Sequence, residues 1–263
     1  MFNFQLILAG WWAADFRGGI DVALAGHGGS RAPWVTGNHD VPRLASRYRL
    51  DEGFTPKTES TLIALGEQHA EAGFRRARAA ALVLLALPGS AYLYQGEELG
   101  LAEVTGIPDD TRQDPRFSRT NGEYPGRDGC RVPMPWAVTG TGFGFSRTKD
   151  GASPSAPWLP QPPDWGTHSV ESQLAGEHSF LHLYRAALRL RRDHPALGRG
   201  TLRWLGPGDA GMLCFARDPG FVFAANFGPD PAPLPAHREI LLASGPLAGG
   251  ATLPPDTAAW LSA

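Results

Sequence analysis

The run Trp-Val-Thr-Gly-Asn-His-Asp at residues 34–40 begins as a short apolar segment and ends in polar side chains. Such a run is typical of a buried strand, and in an α/β barrel the polar residues at the carboxyl ends of the strands line the pocket. Val41-Pro42 follows directly, so a plain turn at 38–40 explains the same residues. The segment therefore favours a central strand that ends in a polar loop, with the turn as the open alternative.

Residues 87–101 repeat this organisation. They follow an apolar helical pattern over 62–87 and end in the polar run Gln95-Gly96-Glu97-Glu98. A strand that follows a helix and ends in polar residues is again what a barrel strand requires. Two such strand–helix units in tandem predict a barrel.

Periodicity and helix-stop residues predict the other elements. Residues 2–4 with the apolar residues after them predict a strand, 13–25 a helix, and 179–194 an amphipathic helix that Pro195 ends. Arg75, Arg76 and Arg78 are predicted to lie on a solvated helix face. Beyond residue 197, short apolar runs alternate with Gly/Pro turns and predict a small antiparallel β-sandwich. These runs are 202–205, 212–216, 221–225 and 239–242.

The segment from about 103 to about 175 is rich in Gly, Pro, Asp, Arg and Trp and shows little periodicity. It is too long for an ordinary connection in a compact domain, so it is either a functional loop or a disordered linker. Trp136, Trp158 and Trp165 favour an ordered and packed loop.

Three motifs occur here in one order: Asn38-His39-Asp40, the stretch 88–101, and the loop Gly-Arg-Asp-Gly-Cys-Arg-Val-Pro-Met-Pro-Trp at 126–136. On these motifs the chain resembles the α-amylase superfamily (glycoside hydrolase family 13), in its α-glucosidase and oligo-1,6-glucosidase branch. The resemblance implies an α/β fold in which 1–197 form the C-terminal part of a (β/α)8 TIM barrel, with a long active-site loop at about 103–175. Residues 198–263 would then form the C-terminal β domain.

Retaining glycoside hydrolysis needs a carboxylate nucleophile and a second carboxyl group about 5 Å away, which acts first as acid and then as base. The family adds a third carboxylate, and the resemblance implies that Asp40 is this transition-state stabiliser. It further implies that His39 donates a hydrogen bond to the same sugar, that Asn38 supports the strand end, and that Arg131 clamps the terminal glucose. A surface arginine of a long loop is the open alternative for Arg131.

The nucleophile and general acid of the family lie on strands upstream of Asn-His-Asp, so this pair is expected to be missing from the 263 residues. Gly19-Ile20-Asp21-Val22-Ala23 is similar to the nucleophile strand, but fewer residues separate Asp21 from Asp40 than one βα unit of about 30 residues takes. Asp21 is therefore expected to be a solvated helix residue. Glu97 and Glu98 are expected to shape the base of the site rather than to act as acids.

Charge and cysteine content exclude several other classes. A net charge of −2 with mixed signs gives no basic field for nucleic acid and no polybasic membrane anchor. The N-terminal apolar stretch lacks the pattern of a signal or a membrane anchor. Cys130 and Cys214 show no zinc-ligand or disulfide spacing, which favours a reducing, cytoplasmic location, and no residue implies a metal or another cofactor.

Two functions follow as hypotheses. The first is a portion of a retaining α-glucosidase, with an α-glucoside or short malto- or isomalto-oligosaccharide as substrate and the missing N-terminal half of the barrel as protein partner. On this hypothesis the chain alone is inactive. The alternative is a non-catalytic chain, either a truncated or a sugar-binding or scaffold homologue. Preference for α-1,4 or α-1,6 bonds, and hydrolysis against transglycosylation, stay open.

Overall fold

The computed structural model describes residues 4–28, 32–51, 53, 62, 67–146, 155–206, 211–247, 249 and 252–263. The first part of the chain is mainly helical and contains one parallel pair of strands. Its elements are α1 (Gln5–Leu8), α2 (Ala13–Gly26), β1 (Ala32–Val35), α3 (Leu44–Arg47), α4 (Ala70–Ala86), β2 (Gly89–Tyr92), α5 (Pro115–Arg119), α6 (Asp128–Arg131), α7 (Val170–Ala175), α8 (Phe180–Asp193) and α9 (Pro195–Arg199).

The strands β1 and β2 pair in parallel, with Ala32 opposite Gly89 and Val35 opposite Tyr92. Their carboxyl ends therefore lie at the same edge, as in a barrel. Strand β1 ends at Val35, and the chain then bends and turns through 36–41. The predicted strand is thus confirmed for its apolar half, and the turn interpretation describes Asn38, His39 and Asp40.

Helix α4 confirms the helix predicted over 62–87 for residues 70–86, while 67–69 form a turn instead and 63–66 lie outside the described residues. Its C-terminal half is buried almost without interruption, because it is covered on several sides. Helices α2 and α8 confirm two further predictions. The hydroxyl of Ser179 accepts a hydrogen bond from the N–H of His182 and caps the start of α8.

The strand predicted from residue 2 onward is wrong for 5–8, which form α1, while 2 and 3 lie outside the described residues. The helical turn buries its apolar side chains in two different clusters. It directs Leu6 into the main core and lets Ile7 pack with Val35 and Val41.

The last part of the chain is an antiparallel β domain. Its strands are β3 (Leu202–Trp204), β4 (Met212–Arg217), β5 (Phe221–Asn226), β6 (Ala232–Pro233), β7 (Glu239–Ala243), β8 (Thr252–Leu253) and β9 (Thr257–Ser262). A five-stranded sheet has the order β3-β4-β5-β9-β7, and β6 pairs with β8 in a small second sheet. The interior strand β9 lies between β5 and β7 and is absent from the predicted runs.

One apolar core joins the two parts of the chain. Residues of α2 and α4 belong to the same buried cluster as Phe215, Phe223 and Trp260 of the sheet. The opposite face of the sheet carries a separate cluster that includes Val222, Leu253 and Leu261. The boundary that we propose near residue 197 separates the mainly helical part of the chain from the antiparallel β domain. The apolar core is continuous across this boundary. No helix among the described residues is long and apolar enough to cross a bilayer.

The prediction that Arg75, Arg76 and Arg78 are solvated is wrong for two of them, because the β domain covers this face of α4. Arg76 Nε donates a 2.8 Å hydrogen bond to Asp256, and Arg78 donates to the Ser244 carbonyl. Arg75 stays half exposed and reaches the same Asp256 carboxylate at 3.3 Å. The Trp11 indole N–H donates to Asp256 at 2.8 Å. Asp256 therefore joins α4, the N-terminal region and the β domain.

Replacing Asp256 by Asn is expected to lower the unfolding free energy by about 2 kcal/mol, because buried hydrogen bonds to a charged group are lost. Asparagine tolerates the positive φ of 55° at this position, so the change tests charge rather than backbone strain. Urea unfolding measures the effect, with exposed Asp230→Asn in the same domain as the control. Equal midpoints for the two variants would contradict this role.

Candidate functional site

The turn after β1 presents Asn38, His39 and Asp40 together. The side-chain oxygen of Asn38 accepts a 2.8 Å hydrogen bond from the backbone N–H of Asp40, which closes the turn locally. The His39 imidazole Nε2 lies 3.6 Å from Asp40 Oδ1. The side chains of His39 and Asp40 are open to solvent, with 65% and 46% of them exposed. A ligand can therefore reach both groups.

Two arginines approach the Asp40 carboxylate from the opposite loop. The guanidinium of Arg127 lies 2.7 Å from Asp40 Oδ1, and that of Arg131 lies 3.4 Å from the same oxygen. Arg131 also donates a 2.9 Å hydrogen bond to the His39 carbonyl. The structure thus brings together all four predicted site residues, Asn38, His39, Asp40 and Arg131.

Arg127 also contacts Asp40, and the sequence analysis did not single it out. It lies four positions before Arg131, the spacing that places side chains on one side of a helical turn, and α6 spans Asp128–Arg131 between them. This spacing within the 126–136 motif was the available signal. Charge-assisted hydrogen bonds of guanidinium to carboxylate fix both distance and direction. Asp40 is therefore an oriented carboxylate.

Buried Asp114 holds Arg127 in place. One carboxylate oxygen of Asp114 accepts from the Arg127 Nε and backbone N–H, and the other accepts from Arg127 Nη2 at 3.1 Å and from the Arg116 N–H at 3.0 Å. The bonded Arg127 guanidinium holds the pKa of Asp114 well below its usual range. The same contact raises the pKa of Arg127.

A second buried carboxylate organises the loop that carries these groups. Asp128 Oδ2 accepts from the N–H groups of Gln113 and Asp114, at 2.8 and 2.9 Å. Gly126 has a φ of 75°, and a Cβ there would lie 2.8 Å from the Cβ of Asp114. The loop therefore needs glycine at this position, both for its backbone conformation and for the close approach of Asp114.

Arg43 ties the turn to the loops on both sides. Its buried guanidinium donates to the Gln95 carbonyl at 2.8 Å and to the Val132 carbonyl at 3.0 Å, and its backbone N–H donates to Glu103 at 2.7 Å. In helix α3, which follows directly, the Ser46 hydroxyl accepts a 2.8 Å hydrogen bond from the Glu103 N–H. These contacts fix the loop after β1, the loop after β2 and helix α6 relative to one another.

The other candidate carboxylates are Asp21, Glu97 and Glu98. Asp21 is on α2, so it is a helix residue as expected. Its carboxylate accepts a 2.8 Å hydrogen bond from the Trp204 indole of the β domain. Glu97 begins a 3₁₀ helix, Glu97–Leu99, and is buried. Glu98 accepts from the Gly96 N–H at 2.8 Å. The described residues contain no group of three or more His, Cys, Asp or Glu arranged to hold a metal.

The alpha amylase catalytic domain model matches residues 21–200, and a domain of unknown function, DUF3459, matches 197–260. The chain is 34% identical to a probable alpha-glucosidase of Rhizobium meliloti (strain 1021) over 66% of this chain and 27% of that protein. It is 31% identical to the salivary alpha-glucosidase of Anopheles gambiae over 91% of this chain and 36% of that protein.

The solved structure of an alpha-glucosyl transfer enzyme, XgtA, is similar with a TM-score of 0.75 and 30% identity, over 99% of this chain and 46% of that one. An isomaltulose synthase from Klebsiella has the same fold, with a TM-score of 0.75 at 22% identity over 98% of this chain and 50% of that one. The chain spans about a third of the length of these curated relatives and about half of these structures. The prediction of a partial (β/α)8 barrel followed by a β domain is confirmed, and the chain belongs to the alpha-amylase family of glycoside hydrolases.

Proposed function

We propose that this chain supplies one side of the active site of a retaining α-glucosidase, which releases terminal α-linked glucose from short α-glucans. Asp40 stabilises the positive charge of the transition state and holds sugar hydroxyls, and His39 donates a hydrogen bond to the same ring. Asn38 supports the turn, and Arg131 binds the terminal glucose. The nucleophile and general acid come from barrel strands outside these 263 residues.

The observation that supports the proposal is the exposed Asp40 carboxylate between two guanidinium groups at the end of a parallel strand. Fixed in this way, the carboxylate needs little reorganisation when positive charge develops on a sugar ring beside it, and such preorganised electrostatics is a large part of catalysis. Bond cleavage itself requires the upstream nucleophile and general acid.

The test is release of p-nitrophenol from p-nitrophenyl α-glucoside. The chain alone is expected to be inactive, and the chain mixed with the upstream barrel half of a related α-glucosidase is expected to be active. Asp40→Asn keeps the side-chain shape but removes the charge, and should lower kcat by about 100-fold or more. Asp193→Asn, an exposed site on α8, is the matched control and should leave the rate unchanged.

The outcomes separate the hypotheses. Hydrolysis by the chain alone that disappears in Asp40→Asn would contradict the proposal that the nucleophile and acid lie outside it. A complemented chain that binds maltose or isomaltose in calorimetry without hydrolysing them would favour the non-catalytic, sugar-binding alternative. We also propose a cytoplasmic location, supported by the free thiols of Cys130 and Cys214.

A further inference from the structure

Glu97 is a buried acid whose side chain the site chemistry does not use. Residues 93–96 separate it from the end of β2, and it is 8% exposed. Among the described residues, neither of its carboxyl oxygens makes a well-formed hydrogen bond. A buried polar group without partners costs free energy, so its retention calls for a physical explanation.

The carboxyl group of Glu97 packs on the backbone of Gly37. A Cβ added to Gly37 would collide with Glu97 Oε1 and lie 3.4 Å from Glu97 Cδ. Gly37 is followed directly by Asn38, whose side chain fixes the Asp40 N–H. The backbone that Glu97 touches is therefore the start of the turn that presents Asp40.

We propose that Glu97 is a positioning residue for Asp40: its neutral carboxyl group supports Gly37, and ionisation of this group loosens the turn that carries Asn38, His39 and Asp40. This inference deepens the proposed function and rests on it for its catalytic meaning, since the position of Asp40 matters to turnover only if Asp40 takes part in it.

Arg47 is the group through which ionisation would act. Its guanidinium donates to the Thr36 carbonyl and, at 3.4 Å, to the Pro42 carbonyl, so it holds the chain on both sides of the turn. Arg47 Nε makes no hydrogen bond to the described residues. A carboxylate at Glu97 would attract this guanidinium and compete with the two carbonyl groups for it, because charge-assisted hydrogen bonds are the stronger ones.

The surroundings keep Glu97 neutral at physiological pH. Burial raises the pKa of Glu97 to about 8, and the Tyr94 backbone N–H, Arg47 and Arg43 lower it by less. Arg43 is already engaged by the Gln95 and Val132 carbonyls. Glu98 raises the pKa further. Two buried phenols, Tyr48 and Tyr184, face the same group, and their own pKa values are raised by burial.

The test reads the geometry of the turn rather than turnover. NMR spectra of the ¹³C-labelled His39 ring in the 263-residue chain are recorded between about pH 6 and about pH 9, a range that spans the expected ionisation of Glu97. The His39 signal of the wild-type chain is expected to show an inflection near pH 8. Glu97→Gln, which mimics the neutral acid, should lose that inflection, and the neighbouring control Glu98→Gln should keep it.

A second measurement uses stability. The folded pKa of Glu97 is raised above its ordinary 4.5, so the folded state holds the proton more tightly and stability falls as pH rises from 4.5 to about 8. The unfolding equilibrium constant of the wild type should therefore increase over this window by about tenfold or more relative to Glu97→Gln. Glu98→Gln should follow the wild type.

Several results would overturn the proposal. These are a wild-type His39 signal with no inflection near pH 8, an inflection that persists in Glu97→Gln, or parallel pH-stability curves for the two. A Glu97→Gln chain that does not fold would contradict it too, because the amide has the shape of the neutral acid. The two proposals can fail separately. If the inflection is present but the complemented chain does not hydrolyse glucosides, the link between Glu97 and the turn stands and only the proposed function is contradicted.

Discussion

Asp114→Asn is expected to lower the unfolding free energy of the chain by about 3 to 5 kcal/mol, the range for removing one partner of a buried ion pair. Each oxygen of the Asp114 carboxylate accepts two N–H groups, from Arg127 and the backbone. An asparagine would turn its NH₂ toward two of these donors. The change therefore leaves donors unpaired and removes the buried counter-charge of Arg127, whose other carboxylate partner is the exposed Asp40.

The same change should release Arg127 from Asp40. Arg127 is held by Asp114 on one side and reaches Asp40 at 2.7 Å on the other, so losing the first contact removes the constraint on the second. In the complemented enzyme we expect kcat to fall together with stability. Urea unfolding and p-nitrophenyl α-glucoside hydrolysis measure the two effects.

Asp109→Asn is the matched control for Asp114→Asn. Asp109 pairs with Arg112 at 3.3 Å in the same loop, but its side chain is 80% exposed. Exposed pairs contribute about 0 to 1 kcal/mol, so this variant should stay close to the wild type. If Asp114→Asn were no less stable than Asp109→Asn, the loop would not depend on the Asp114 carboxylate.

Acid should reproduce the effect of Asp114→Asn without mutation. The pKa of Asp114 is held well below its usual range in the folded state, so the unfolded state binds its proton more readily. The stability that Asp114 contributes is complete above the ordinary aspartate value of about 3.9 and is lost as pH falls below it. This acid dependence should be smaller in the Asp114→Asn chain.

Arg217→Met is expected to lower the unfolding free energy by about 3 kcal/mol or more, because several buried carbonyl groups lose a charged donor at once. Arg217 is 1% exposed and donates to the Ala86 carbonyl at 2.9 Å, Leu197 at 3.1 Å and Gly200 at 2.8 Å. Burial, and then Arg191, lower its pKa to about 10, so it stays charged at neutral pH.

These contacts lie at a helix end that needs donors. The last carbonyl groups of a helix have no partner within it, and cations near them are stabilising. Arg217 donates to Ala86, the last residue of α4, and Arg191 donates to the neighbouring Leu85 and Leu87 carbonyls. Methionine at 217 would fill the space but supply no donor. Thermal and urea unfolding measure the loss.

Arg203→Met on the adjacent strand β3 is the control for Arg217→Met. Arg203 is exposed, and exposed substitutions usually stay within about 0.5 kcal/mol. Equal losses in the two variants would show that the cost comes from changing the sheet surface rather than from the end of α4.

The sequence predicted those features of the site that are local. Asn38, His39 and Asp40 follow an apolar strand, and Arg131 lies in a recognisable loop motif, so their placement together followed from the resemblance. The attachment of Arg127 to Asp114 did not, because the two are brought together by an irregular loop with no periodicity to read. The carbonyl partners of Arg43 were hidden for the same reason.

The fold was predictable where one face of an element is polar. Helix α8 has such a face and a serine cap, and its bounds were close. Strand β9 was missed because it is buried on both faces as a central strand, so its residues do not alternate between apolar and polar. The prediction for the arginines of α4 was wrong for a related reason. Periodicity locates the polar face of a helix but does not show that the β domain covers this face.

The hydrogen bond between Trp11 and Asp256 joins residues 245 positions apart. Trp11 contacts Phe16 and Phe227 in the core around α2, with its ring edge-on to the first and tilted to the second, so this core includes a side chain synthesised long after α2. Contacts of such long range are slow to form. During synthesis we therefore expect this side of α2 to stay uncovered by the β domain until most of these residues have been made.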